Sequence, residues 1–70
     1  MKASDVKYGK VYRHCNGGLY RVTGIVTDAN TMDKVVIYEN FCSGKEWCRP
    51  LKEFCGMHRT GVPRFTEVES

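Results

Sequence analysis

Val11-Tyr12-Arg13-His14-Cys15-Asn16-Gly17-Gly18-Leu19-Tyr20-Arg21-Val22 is the stretch on which the fold turns. Two runs rich in strand-forming residues flank Asn16-Gly17, a pair that accepts positive φ, and this is the strongest short-range signal for a β-hairpin. Two registers are open. A two-residue loop pairs Val11 with Val22 and Arg13 with Tyr20, whereas a bulged three-residue loop sets Tyr12 against Val22 and Arg13 against Arg21. Opposed like charges are unfavourable, which favours the first.

Outward from the hairpin the chain keeps the same grammar. Leu19 to Val26 continues as a strand, and Thr27 to Lys34 is a polar turn rich in Asp and Asn. Val35-Val36-Ile37-Tyr38-Glu39-Asn40-Phe41 is apolar on both faces, as a central strand is. Ser43-Gly44-Lys45 turns the chain into a strand around Trp47 that ends at Pro50, and Pro50 to Cys55 reads as one helical turn. Arg64 to Val68 alternates like a closing strand. Residues 1–9 read as a lead-in arm and 66–70 as an acidic tail, on a single domain spanning 1–70. The pattern predicts an all-β fold, a small barrel of about five antiparallel strands with one short helical turn.

Composition narrows the function classes. Seventy residues bury only about 60% of the surface of the unfolded chain, which disfavours a large enclosed active site. The longest apolar run, Val35 to Tyr38, is far too short for a membrane span, and the first residues carry no secretory signal, so a cytoplasmic location is expected. Between Lys7 and Phe65 there are ten Lys and Arg against five Asp and Glu, a balance that favours anionic partners.

Four cysteines, Cys15, Cys42, Cys48 and Cys55, contain no C-x-x-C pair. Buried reduced thiols are expected, with no metal and no cofactor. Phosphate-binding loops of the G-x-x-x-x-G-K-[ST] and G-x-G-x-x-G kinds are absent, and the acidic residues fall in turns or on solvent faces. A non-enzymatic protein is the expectation.

What the sequence does offer is aromatic and basic side chains in alternation. Trp47 and Arg49, at i and i+2 of a strand, share a face, while Glu46 and Cys48 take the other. A ring that stacks beside a forked donor suits a planar anionic ligand. The candidate ligand-binding residues are Trp47, Arg49, Tyr38, Arg64, His14 and Arg13. Packing is a competing role for the aromatic residues: a lone Trp in a small barrel commonly fills core or rim, tyrosines fill the barrel ends, and a strand-end His commonly makes a structural hydrogen bond, whereas Arg is costly to bury without a partner.

The spaced motifs Tyr12-Arg13-His14, Gly17-Gly18-Leu19-Tyr20, Val36-Ile37-Tyr38, Trp47, Arg49-Pro50-Leu51, Phe54 and Val62-Pro63-Arg64-Phe65 resemble a family of short bacterial and phage proteins known only as a domain of unknown function. The resemblance runs from Gly9 to Phe65. It implies a compact SH3-like β-barrel and no established activity. Asn16 stands where relatives often carry Lys, and Asp28 stands near a position often held by His.

The expected function is a binding module for a phosphate-bearing small molecule such as a signalling nucleotide, of the kind by which small phage proteins sequester host defence signals. Trp47 and Tyr38 would stack on a base while Arg49, with Arg64 or Arg13, bonds phosphate, and a homo-oligomer would deepen the groove. The alternative is a nucleic-acid-binding or protein-docking module using the same face, with no membrane partner. If phage-encoded, the protein would act in the bacterial host cytoplasm.

Overall fold

The structure is a computed structural model and describes residues 3–58 and 60–68. After a 3-10 turn at Ala3–Asp5 come β1 (Val11–His14), β2 (Leu19–Thr27), β3 (Lys34–Asn40), β4 (Glu46–Pro50), the helical turn α1 (Leu51–Phe54) and β5 (Phe65–Glu67). All pairings are antiparallel, in one sheet of order β4-β3-β2-β1-β5. The fold is all-β, with one short helix, as the turn spacing predicts.

The hairpin forms in a register different from both expected ones. Tyr12 faces Tyr20, Val11 faces Arg21 and Arg13 faces Leu19. The chain turns one residue earlier than a two-residue Asn16-Gly17 loop requires: the Gly17 N–H bonds the His14 carbonyl at 2.8 Å, and the His14 N–H bonds the Gly18 carbonyl at 2.8 Å. Gly17 sits at φ +100°, the left-handed step that closes a three-residue loop. Asn16 acts within the turn, its Oδ1 accepting the Gly18 N–H at 3.0 Å. Setting Arg13 against Leu19 also avoids opposed arginines.

A bulge between Val22 and Gly24 shifts the β2–β3 register by one residue. It lets Val22 oppose Tyr38 and Ile25 oppose Val36, so two residues three apart on β2 both look towards the inner face. The sheet is strongly curled. β3 and β5 are three strand spacings apart, roughly 14 Å in a flat sheet, yet the rings of Tyr38 and Phe65 have centroids 5.4 Å apart.

β4 and β5 form the two ends of the ladder. The space between them is spanned by α1 and the segment behind it, through the Arg64 N–H to Gly56 carbonyl bond (3.1 Å) and a bridge between Met57 and Pro63. Pro50 is the last residue of β4 and caps α1, so the helical turn starts where a proline ends the strand.

The core is Val6, Tyr12, Val22, Val36, Tyr38, Phe54 and Phe65. Phe54 from α1 stacks on Phe65 at 4.0 Å and meets Tyr12 and Tyr38 edge-on, both at 5.4 Å. Burying an aromatic or aliphatic side chain of this size stabilises by about 1.5–3 kcal/mol each. The Tyr12 hydroxyl is satisfied inside the fold, donating to the Asp5 carbonyl (2.8 Å) and accepting from the Lys7 N–H (3.1 Å). Burial pushes its pKa upward.

Three sequence expectations change here. The lead-in is part of the body: Val6 is buried, and the Gly9 N–H bonds the Val22 carbonyl at 2.8 Å. The tail begins inside the sheet, with Glu67 on β5 paired to Lys10; residues 69 and 70 lie outside the described residues. The cysteines are free thiols, but Cys15, Cys42 and Cys48 are exposed and Cys55 half-buried. Cys15 and Cys42 lie beyond strand ends, where no core reaches, and Cys48 points out of the curled sheet, away from Trp47 and Arg49.

Candidate aromatic cleft

The residues that share the inner face of the sheet follow from register. On β1 and β2, Tyr12, His14 and Tyr20 project inward; on β3, Tyr38; on β4, Trp47 opposite Tyr38 and Arg49 opposite Val36; on β5, Phe65 opposite His14. Where the core runs out towards the open side, His14, Tyr20, Tyr38 and Phe65 form the floor of a cleft of about 190 Å³. Trp47, Arg49 and Asn16 complete its rim.

The floor is a lattice of edge-on rings. His14 meets Phe65 at 5.0 Å and Tyr20 at 6.3 Å, and Tyr20 meets Tyr38 at 5.4 Å. Perpendicular contacts of this kind lock ring orientation, because each positive edge faces a negative π-face. Trp47 stands at the rim with 46% of its surface exposed, and Lys45 lies over its ring at 4.6 Å. The indole is half-exposed beside a packed aromatic floor, with the Lys45 ammonium over its ring.

Arg49 is held from behind. Its Nε lies 3.4 Å from the Tyr38 hydroxyl, and its Nη1 lies 3.6 Å from Glu53 Oε1, one helical turn further on. An ion pair this long and this exposed contributes about 0–1 kcal/mol. Its effect is to aim the guanidinium rather than to neutralise it.

His14 packs against His58 at 6.2 Å as well as against Phe65. Burial holds its pKa below the ordinary imidazole value; the Asn16 side chain opposes that, and the charges of Arg49 and Arg64, with the neighbouring His58, add to it. This end of the cleft is therefore electropositive, with a neutral imidazole inside it.

Of the six candidate residues, the fold gathers four: Trp47, Arg49, Tyr38 and His14 all line the cleft. Tyr38 is only 5% exposed, so it serves as floor and not as a free stacking face. Arg64 sits close by without lining the cleft; its Nε donates to the Glu53 carbonyl at 3.2 Å, and its charge is felt by His14. Arg13 lies on the opposite face, exposed, and does not join the others.

Tyr20, Phe65 and Asn16 are the residues this site adds. Tyr20 belongs to the aromatic and basic set visible in the sequence, but its place beside Tyr38 depends on the hairpin register. Phe65 reads as part of the closing strand, and it is both core and cleft floor. Asn16 reads as a turn former, and its side chain reaches the rim because the turn opens one residue early. Among the described residues no three His, Cys, Asp or Glu side chains cluster as a metal site would need, and no helix is long and apolar enough to cross a membrane.

A small antiparallel all-β domain carrying one aromatic, electropositive cleft is the class that this geometry defines. The profile of a family described as Protein of unknown function (DUF1653) matches residues 10–67, and the chain belongs to that family. Neither a curated protein nor a solved structure matches the chain.

Proposed function

We propose that the protein is a non-enzymatic binding module whose cleft holds one planar ring and one phosphate, the ligand class being a nucleotide that the protein sequesters. The observation that carries this reading is the convergence of Trp47, Arg49 and His14, from two different hairpins, on one cleft. The indole offers a stacking face, worth about 1–3 kcal/mol per base. Arg49 offers a forked donor suited to phosphate oxygens. At about 190 Å³ the cleft is smaller than the roughly 300–1,000 Å³ usual for small-molecule sites, so it suits a single small nucleotide better than an extended strand.

Trp47 is the only tryptophan, so its fluorescence reports the site directly. In a screen of mononucleotides and dinucleotides, a ligand that binds the native state raises the melting temperature by mass action and quenches Trp47. Trp47→Ala is expected to weaken binding about 10- to 100-fold with little change in melting temperature, and Arg49→Lys to weaken it less. Binding only to long oligonucleotides, with steep salt dependence, would replace this reading with nucleic-acid binding. Unaltered affinity in Trp47→Ala would remove it.

A further inference from the structure

The turn between β1 and β2 does more than reverse the chain, because it fixes the hydrogen-bonding polarity of two cleft residues. The backbone N–H of Asn16 lies 3.2 Å from His14 Nδ1. A backbone N–H can only donate, so Nδ1 is the acceptor and the neutral ring carries its proton on Nε2. The Cys15 thiol, 3.7 Å from the same nitrogen, fits the same arrangement, since a thiol also donates. Likewise the Gly18 N–H takes up Asn16 Oδ1, which leaves the Asn16 amide with its two Nδ2 protons to offer.

Arg49 has only donors, and the indole of Trp47 has only its N–H. The Tyr38 hydroxyl already faces the Arg49 Nε. The rim and the His14 end are therefore rich in donors, from Arg49, the Trp47 indole, Asn16 Nδ2 and His14 Nε2, and among the described residues no carboxylate lines the cleft. The Tyr20 and Tyr38 hydroxyls and the second lone pair of Asn16 Oδ1 are the acceptors that remain there.

We infer that the cleft is a donor-rich site, selecting a ligand that presents acceptors at both its ends: a phosphate, and a ring bearing an oxo group in preference to an amino group. The inference rests on the nucleotide reading above and sharpens it from a ligand class to a pattern of atoms. A 6-oxo purine offers N7 and O6 as adjacent acceptors, whereas a 6-amino purine offers an acceptor and a donor there. An amino group brought against a donor leaves both unpaired, which costs far more than losing one favourable contact.

The test uses inosine 5′-monophosphate and two probes that each differ from it by one group, adenosine 5′-monophosphate and inosine. Inosine monophosphate is expected to bind at least tenfold more tightly than either of the others. His14→Phe is expected to lose about tenfold for inosine monophosphate and little for inosine. Adenosine monophosphate binding as tightly as inosine monophosphate, or inosine matching it, overturns the donor-rich assignment while leaving a stacking cleft in place. If no probe binds, the nucleotide reading fails and this inference with it.

A ligand-free measurement checks the premise. Long-range proton–nitrogen correlation spectra of the labelled protein near pH 7.5, with His58→Gln used to assign the two histidines, are expected to show His14 protonated on Nε2. A proton on Nδ1 overturns the inference whatever binds.

Discussion

The two ends of the β2–β3 ribbon are built from the same strands and behave differently. At one end Tyr20, Val22 and Tyr38 meet β1, β4, β5 and α1, and the rings of Tyr12, Phe54 and Phe65 close over them. At the other end Ile25, Val26 and Val35 pair in good register up to Thr27 opposite Lys34, yet Ile25 is 38% and Val26 46% exposed. β-branched residues in a regular ladder are no guarantee of a core. What makes a core is a second layer, and only the first end has one.

The sharpest way to break that contrast is to remove the second layer. Phe54→Ala takes away the ring that touches Tyr12, Tyr38 and Phe65 at once, and it is expected to cost about 3–5 kcal/mol, enough to unfold much of so small a domain. Denaturant melts followed by circular dichroism read this directly. A loss below about 1 kcal/mol would show that the helical turn merely decorates the sheet.

A smaller effect separates the cleft end from the rest by pH. His14 has a folded pKa below its ordinary value near 6.5, because it is partly buried and faces Arg49, Arg64 and His58. The unfolded chain therefore binds the proton more readily than the folded one. Stability is expected to be complete above about pH 6.5 and to fall as the pH drops below that value. His14→Gln removes the titrating group, and the melting temperature of this variant is expected to decline less between pH 7 and pH 5. An identical decline in both proteins would assign it to other groups.

The smallest effect belongs to the far end. Val26→Thr keeps the β-branched shape on an exposed strand face and is expected to change stability by less than about 0.5 kcal/mol. A cost near 2 kcal/mol would mean that this end is covered in solution, by a second copy or another partner, and would remove the contrast between the ends.

Much of the fold was legible in the order of residues. Strand-forming runs at β1 to β5, the Asn-Gly and Ser-Gly turns, and Pro50 as the strand end are local signals, and each appears where its local energetics place it. The pairing of Trp47 with Arg49 on one face was legible too, since alternation in a strand is a matter of backbone geometry. The hairpin register was not. It turned on whether the loop opened at Cys15 or at Asn16, and the bonds of His14 to Gly17 and Gly18 decided it. That single residue sets Tyr20 against Tyr12 and beside Tyr38.

By itself, then, the sequence determined an antiparallel all-β domain, its turns, and which neighbours along a strand share a face, because these follow from local propensity and a period of two. Tertiary structure alone decided that Val6 is core, that three cysteines are exposed, that Arg13 faces away, and that His14, Tyr20 and Phe65 floor a cleft rimmed by Trp47 and Arg49. The reason is curvature. How far a sheet curls, and which residues it brings across from β3 to β5, depends on a bulge at Val22–Gly24 and on the ring of Phe54, and neither effect is written in any local stretch of chain.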